Sequence, residues 1–267
     1  MQRALRAIVL LAWALAAVLW AAPSVARHYV FPTYRVPAGE ATDDAVVLTL
    51  TAKDGVPVHA LELEGPPGAP VVVHFHNNSE TASAPLALAR ELRARGLGVV
   101  LVEYRGYGMS RGAQPSEEGL YRDAEAALDM LSQRGITSSR ILLWGTSLGT
   151  GVAAEMARRG RGGALVLVSP YTSIPALVRD AAPMVPADTL MPDHFDTLAK
   201  ASQIRVPTLV IHGDADEIVP FWMGQRVAEA IDGAQLVRVP GGHHGDLFLR
   251  DRARLVDAMV GAALHLM

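Results

Sequence analysis

The sequence contains no cysteine, and it is poor in aromatic and charged residues. Of its 267 residues, 6% are aromatic and 19% are charged. Without cysteine the chain cannot form disulfides, thiolate metal sites or a cysteine nucleophile. The cellular compartment stays open, because exported proteins need not carry disulfides.

An excess of positive charge is also absent. The net charge is −3 and the isoelectric point lies near 6.3, so the surface offers no broad positive field for a phosphate backbone. We therefore expect no nucleic-acid partner. Half of the residues (50%) are hydrophobic, which is enough for a full core, and residues 27–267 are expected to form one domain.

An uncharged apolar run near the N-terminus predicts export. Residues Ala7–Ala22 follow Arg3 and Arg6 and contain no charge. At about 1.5 Å per residue the run spans about 24 Å, short of the roughly 30 Å hydrocarbon core, which is typical of a signal peptide, here with Ser24–Ala26 as the cleavage site. A helix continued to the end of those small residues reaches about 30 Å and would be an uncleaved membrane anchor. With either alternative, residues 1–26 direct the rest of the chain to the cell envelope.

Short apolar strands and amphipathic helices fill the rest of the chain. Two β-rich runs surround the turn Lys53-Asp54-Gly55 and predict a hairpin. From the strand "PVVVHF" onward, strands alternate with helices up to the C-terminus. This alternation predicts an α/β fold with a mainly parallel central sheet and helices on both faces. In such sheets the chemistry lies at the carboxyl ends of the strands.

One stretch interrupts the alternation. Between Tyr171 and Gln203, prolines at four positions prevent any long element. We expect a short cap excursion over about residues 171–203. The alternative is a plain surface loop without contact to a ligand.

The segment "ILLWGTSLGTG" places a serine at the end of an apolar strand. Gly145-Thr146-Ser147-Leu148-Gly149 fits the pattern G-x-S-x-G, and helix-like residues follow it, as in a nucleophile elbow. Glycine and serine also occur in strand-to-helix turns for local reasons. As an elbow, the turn would hold Ser147 out of the core as a candidate nucleophile.

Candidate partners for this serine follow two later strands. The acids Asp214, Asp216 and Glu217 come after "VPTLVIHG", and His243, His244 and Asp246 come after "AQLVRVP". A serine needs a base to take its proton, and the imidazole needs a carboxylate to fix its tautomer. The order serine, acid, histidine is that of a hydrolytic triad on this type of sheet.

These segments resemble the α/β-hydrolase superfamily. The ordered matches are "HFHNNS", "EYRGYGMSRG", "GTSLG", "HFDTL", "HGDADEIVP" and "PGGHHGDL". They are similar to those of small serine aminopeptidase-like and lysophospholipase-like hydrolases with an export or anchor segment. The resemblance extends from about Tyr29 to the C-terminus, and it implies an α/β-hydrolase fold.

The resemblance also assigns roles to the candidate residues. The pattern H-G-x-x-D places the triad acid at Asp216, and G-x-G-H-x-D places the base at His244. Asp214 then becomes a turn carboxylate, Glu217 a solvent-facing one and Asp246 a tie within its own loop. His243 occupies a position where the family has glycine, so which imidazole reaches Ser147 stays open, with His244 preferred.

The same resemblance implies an oxyanion hole made by two backbone N–H groups, those of Leu148 and Asn78. Asn77 stands where glycine is usual, and we expect it to tolerate left-handed backbone angles. His76 is interpreted as a structural residue of this loop, and "YRGYGMSRG" as scaffold beside the elbow. Metal ligation by the paired histidines is an alternative, but we expect neither a metal nor a cofactor.

Together these features predict a cofactor-free serine hydrolase that cleaves an acyl ester or thioester. Its partner would be a small-molecule or lipid-like acyl substrate. The short cap is not expected to enclose a large pocket, which favours small or medium acyl chains, or a lipid presented at a membrane. An aminopeptidase or amidase of the same fold and a non-catalytic binding protein are the alternatives.

Overall fold

A computed structural model describes residues 23–36 and 44–265. The strands are β1 (Val46–Thr51), β2 (Pro57–Leu63), β3 (Val71–Phe75), β4 (Gly98–Glu103), β5 (Ile141–Thr146), β6 (Ala164–Val168), β7 (Thr208–Gly213) and β8 (Gln235–Val239). They form one sheet in the order β1-β2-β4-β3-β5-β6-β7-β8. β2 pairs antiparallel with both β1 and β4, and the other pairs are parallel. The predicted hairpin and mainly parallel sheet are confirmed.

Helices cover both faces of this sheet, as predicted. They are α1 (Leu86–Ala94), α2 (Glu117–Gln133), α3 (Leu148–Arg158), α4 (Ile174–Ala181), α5 (Ala187–Leu190), α6 (Thr197–Ala201), α7 (Phe221–Ala230), α8 (Leu247–Arg250) and α9 (Arg252–Leu264). The C-terminal helical region consists of two helices, α8 and α9. Asp251 leaves helical angles, with φ −138° and ψ 45°, and separates α8 from α9.

Successive residues of the central strands belong to opposite cores, because strand side chains alternate between the two faces. On β5, Leu143 packs with α2 and α3 on one face, whereas Leu142 and Trp144 pack with α1 and α9 on the other. These two cores fix the parallel strands, and with them the edge at which the strands end.

The first residues that the structure describes, 23–36, lie against the rest of the fold. The predicted export segment, residues 1–26, falls outside the described residues up to residue 22, while residues 23–30 are helical. Across residues 23–36 and 44–265, no helix is long and apolar enough to cross a membrane.

The region predicted as a cap excursion, residues 171–203, contains three short helices, α4, α5 and α6. An ion pair between Arg179 and Asp188 joins α4 to α5.

Candidate active site

The turn between β5 and α3 holds Ser147 in a strained backbone conformation, with φ 50° and ψ −116°. Neighbouring backbone leaves no room for side chains at the two flanking glycines. A Cβ on Gly149 would lie 2.0 Å from the carbonyl oxygen of Phe75, and one on Gly145 would lie 2.4 Å from that of Gly149. The spacing of G-x-S-x-G thus follows from the close approach of the elbow to β3 and to itself.

Three side chains from separate strand ends meet at this turn. His244 Nε2 lies 2.9 Å from Ser147 Oγ. His244 Nδ1 lies 2.8 Å from one carboxylate oxygen of Asp216 and 3.1 Å from the other. With the proton on Nδ1 donated to Asp216, the free Nε2 can accept the serine hydroxyl proton. The structure therefore brings together the three residues that the sequence singled out.

Further donors hold the Asp216 carboxylate in place. Its Oδ1 accepts hydrogen bonds from the backbone N–H groups of Ile218 and Val219, at 2.9 and 2.8 Å. The Nε2 of His212 lies 3.4 Å from Oδ2 and 2.9 Å from the carbonyl oxygen of Val219. Burial raises the pKa of Asp216, but hydrogen bonds from His212 and His244 outweigh burial and hold this pKa well below its usual range. Asp216 is therefore an anion that can stabilise a charged His244.

The other acids of these two loops have different partners. Asp214 accepts hydrogen bonds from Arg238 at 2.7 Å and from the N–H of Gly241 at 2.6 Å. Asp246 accepts one from the N–H of its loop neighbour His243 at 2.7 Å. Glu217 Oε2 lies 3.0 Å from His243 Nδ1, and both of these side chains are at least half exposed. Only the deeper pair, His244 and Asp216, reaches Ser147.

The loop after β3 lies beside the elbow, and its conformation differs from the expectation for Asn77. Among the described residues, positive φ at a non-glycine position occurs at Ser147, Ser169 and Phe195, and not at Asn77. The side-chain oxygen of Asn77 instead accepts hydrogen bonds from the N–H and the hydroxyl of Ser79, at 2.8 and 3.1 Å. An Asx-type turn, formed by the side chain of Asn77 itself, therefore shapes the loop at this position.

His76 and Glu103 form a buried pair beneath that loop. His76 Nδ1 donates to the carbonyl oxygen of Asn77 at 2.6 Å, and its Nε2 lies 3.5 Å from Glu103 Oε1. Burial lowers the pKa of His76 to about 4 and raises that of Glu103 to about 7. His76 is thus neutral at neutral pH and occupied with the loop backbone, which leaves it no contact with Ser147 Oγ.

The segment "YRGYGMSRG" contributes a second support. Arg105 bridges Asp123 of α2 and Asp54 of the β1–β2 turn, at 2.7 Å to each. Hydrogen bonding to Arg105 holds the pKa of Asp54 well below its usual range. This network fixes the loop after β4, and none of its three members lines the cavity at Ser147.

Comparisons with known proteins identify the family and the fold of this chain. The family described as serine aminopeptidase, S33, matches residues 66–194, and the serine hydrolase (FSH1) family matches residues 145–244. An uncharacterized protein of Mycobacterium tuberculosis H37Rv is 38% identical over 71% of this chain and 68% of its own length. The uncharacterized protein YfhR of Salmonella typhi is 30% identical over 89% of this chain and 88% of its own. Among solved structures, a Pyrococcus furiosus esterase superposes with a TM-score of 0.71 at 18% identity, covering 85% of this chain and 97% of that one.

The chain belongs to the α/β-hydrolase superfamily. The predicted resemblance and fold are confirmed, and the chain is a hydrolase of this superfamily. Within the residues that the structure describes, no group of three or more His, Asp or Glu side chains is arranged to hold a metal ion.

Beside Ser147 this α/β-hydrolase has a cavity of about 800 Å³. Leu148, Asn78 and His244 line it together with the serine. Most of the remaining lining is apolar and comes from two segments, residues 25–35 and the cap region 174–191. The expectation that the short cap encloses no large pocket is wrong, because the N-terminal segment supplies a second wall. Those walls also leave Ser147 only 8% exposed.

The sequence patterns did not predict two sets of residues near the site of this hydrolase, His212 and residues 25–35. His212 supports Asp216, and its position at the end of β7, within the quoted "HGDADEIVP" match, was a usable signal. The wall formed by residues 25–35 gave no such signal. Its short apolar stretch has no strand or helix periodicity, and its ion-pair partner Asp193 lies 166 residues away.

Proposed function

We propose that this hydrolase cleaves acyl esters or thioesters through a covalent acyl-enzyme. Ser147 is the nucleophile, His244 the general base and acid, and Asp216 the carboxylate that orients the imidazole. The observation that carries the proposal is the continuous chain of contacts, 2.9 Å from Ser147 Oγ to Nε2 and 2.8 Å from Nδ1 to Asp216. No cofactor takes part in this chemistry.

The reaction begins when His244 takes the hydroxyl proton and Ser147 Oγ attacks the acyl carbonyl carbon. The tetrahedral intermediate collapses as His244 returns the proton to the leaving alcohol or thiol, and an acyl ester on Ser147 remains. Water, deprotonated by the same imidazole, then attacks this ester. The second tetrahedral intermediate breaks the bond to Ser147 Oγ, which receives the proton back from His244, and the acid is released. Asp216 stays ionised throughout and stabilises the imidazolium.

The negative oxygen of each intermediate would be bound by the backbone N–H groups of Leu148 and Asn78. Leu148 is the first residue of α3, so its N–H lies at the positive end of the helix dipole. Asn78 lines the same cavity. The Asx turn at Asn77 supports this loop through its own side chain, so an oxyanion hole remains compatible with the substitution of glycine by Asn77.

The cavity lining favours an ester or thioester over an aminopeptidase substrate. An aminopeptidase must bind the α-ammonium group of its substrate, for which a carboxylate is the usual partner. No Asp or Glu side chain is among the described residues that line this cavity. An apolar acyl group fits the lining without leaving a buried charge unpaired.

A fluorophosphonate probe tests the proposal, because it reacts only with an activated serine. We expect the probe to label the wild type at Ser147, and Ser147→Ala to lose labelling and p-nitrophenyl butyrate turnover by roughly 10⁴-fold or more. Ser79→Ala is the matched control, because Ser79 lines the same cavity but its hydroxyl donates to Asn77. Labelling at Ser79 would reassign the nucleophile, and a wild type that neither labels nor hydrolyses any ester would overturn the hydrolase proposal and leave a binding protein.

For the location of the enzyme we retain the proposal of export to the cell envelope. It rests on Ala7–Ala22 and on the two arginines that precede this run. Expressed with a C-terminal tag in a Gram-negative host, the chain is expected in the envelope fraction. Recovery of the full-length chain from the cytosol would contradict export.

A further inference from the structure

The N-terminal segment, residues 23–36, is positioned by contacts with several parts of the domain. Arg27 Nε lies 2.7 Å from Asp193, a buried residue at the end of the cap. The carbonyl oxygen of Val30 accepts a hydrogen bond from the side chain of Asn78 at 3.1 Å, and that of Val36 accepts one from Arg111 at 2.8 Å. The segment therefore has fixed polar partners along its length.

Its apolar side chains are divided between the core and the cavity. Phe31 is 3% exposed and lies edge-on to Phe195, with the ring centroids 6.2 Å apart. Val25, Ala26 and Val30 line the cavity beside Ser147. The buried Phe31 anchors the segment, so the residues around it form a positioned wall.

The cap forms the facing wall, and the two are joined at Asp193. Besides Arg27, this carboxylate accepts a hydrogen bond from the N–H of Glu117 at the start of α2. Glu117 in turn accepts hydrogen bonds from the N–H groups of His194 and Phe195, at 2.7 and 2.9 Å. The end of the cap is thus fixed to α2, and Arg27 holds the N-terminal segment at the same place.

From this geometry we propose that residues 25–35 are an acyl-specificity element. They form one wall of a pocket for a long, unbranched acyl chain, and Val25 and Ala26 must therefore remain in the mature enzyme. The inference rests on the proposed hydrolase function and adds the substrate class to it.

The volume and the lining of the cavity support a long chain. A methylene group occupies about the volume of a water molecule, roughly 30 Å³. A dodecanoyl chain then fills less than half of the cavity's approximately 800 Å³. Each methylene buried against the two walls is expected to raise kcat/KM by roughly fourfold, until the pocket is filled.

The position of Ala26 helps to distinguish a signal peptide that is cleaved after Ala26 from an N-terminal segment that is retained. Ala26 is 5% exposed and lies within the helical residues 23–30. A chain cleaved after Ala26 would begin at Arg27 and would lack Val25 and Ala26 from the wall. Retention of the segment is therefore part of the proposal.

Paired phenylalanine substitutions in the full-length chain test the wall. Ala26→Phe narrows the pocket, whereas Ser24→Phe adds the same ring at an exposed position outside the cavity lining. For Ala26→Phe we expect kcat/KM for p-nitrophenyl dodecanoate to fall at least about tenfold, while the value for the acetate ester changes by less than about threefold. Ser24→Phe should leave both values near those of the wild type. If Ala26→Phe folds and still reacts with the fluorophosphonate probe, yet lowers kcat/KM equally for both esters, the proposed role of this wall is wrong.

Val30→Ala is a second test of the same wall, for the case in which the phenylalanine ring of Ala26→Phe disturbs folding. It only removes methyl groups from the cavity lining. We expect a loss of roughly threefold or more for the dodecanoate ester and no change for the acetate ester. An unchanged ratio between the two esters would count against the proposal.

Two measurements separate this proposal from the proposed chemistry. In the Ser147→Ala background, calorimetry should detect dodecanoic acid binding that Ala26→Phe weakens at least about tenfold, even though no turnover occurs. Absence of binding would contradict the proposed acyl pocket and leave the proposed triad unaffected.

The mass of the intact enzyme isolated from the envelope should correspond to a chain that still contains residues 23–26. A mature chain that begins at Arg27 would contradict retention of this segment.

Discussion

Two histidine–carboxylate pairs connect the same two loops, one residue apart in each loop, yet their surroundings differ. The pair of His244 and Asp216 is separated by 2.8 Å, with 18% and 0% of the side chains exposed. The pair of His243 and Glu217 is separated by 3.0 Å, with 50% and 58% exposed. The inner pair has Ser147 on its far side and further donors on its carboxylate, while the outer pair faces solvent.

The comparison shows that the same imidazole–carboxylate contact occurs in two different environments, and that only the buried pair also reaches Ser147. Water screens the outer pair, and side-chain freedom opposes it, so such pairs contribute little. The inner carboxylate, that of Asp216, is shielded from solvent and accepts hydrogen bonds from the backbone N–H groups of Ile218 and Val219. Preorganisation of this kind gives an ion pair its value in a reaction.

Removal of each imidazole should give the largest difference between the pairs. We expect His244→Ala to lower kcat/KM by roughly 10⁴-fold or more, because Ser147 loses its base. His243→Gly should keep at least about a tenth of the activity, a cost of no more than about 1.4 kcal/mol in the barrier. Steady-state kinetics with p-nitrophenyl butyrate measures both. An inactive His243→Gly beside an active His244→Ala would make the outer pair the catalytic one.

Neutralising the carboxylates should give the next largest effect. In Asp216→Asn the amide cannot hold His244 in the required tautomer, and we expect kcat to fall by roughly 10³- to 10⁴-fold. Glu217→Gln and Asp214→Asn should change it by less than about threefold, since neither acid contacts the imidazole ring of His244, whose partners are Asp216 and Ser147. The same ester assay distinguishes them. If Asp214→Asn were the most damaging, the acid would have to be reassigned by two positions.

The pH dependence of stability should separate the pairs further. The pKa of Asp216 is depressed in the folded state, so its stabilising effect is present above the unfolded value of about 3.9 and is lost as the pH falls below it. Urea unfolding of wild type and Asp216→Asn should therefore differ most at neutral pH, and the difference should shrink toward pH 3. A difference that grew on acidification would show that the carboxylate is not stabilised as an anion.

Salt should produce the smallest effect, confined to the outer pair. Both of its members are solvent-exposed, so an increase in NaCl from about 0.05 M to about 0.5 M should remove any difference in Tm between wild type and Glu217→Gln. Ester turnover by the inner pair should stay the same within about twofold. A salt-sensitive kcat would indicate that His244 and Asp216 are more open to solvent than the structure shows.

Much of the fold and of the site followed from local patterns. Alternating strands and helices predicted the parallel sheet, and G-x-S-x-G predicted Ser147, with acids and histidines after later strands as its candidate partners. The family resemblance then selected Asp216 and His244 among them. These predictions were possible because parallel strands end at a common edge, so residues far apart in sequence converge wherever they follow a strand. Periodicity could not predict the Asx turn at Asn77, because this turn depends on hydrogen bonds from Ser79 to the side-chain oxygen of Asn77.

The sheet, the elbow and the set of polar residues at the strand ends were predictable from the sequence. Which of His243 and His244 contacts Ser147 became visible only in the folded chain, because adjacent residues of a loop differ in depth, and depth is not encoded in spacing. The size of the cavity likewise follows from tertiary contacts. The second wall, around Ala26, comes from a short segment joined to the cap by Arg27 and Asp193, and contacts over such a separation exist only once the sheet has brought both parts together.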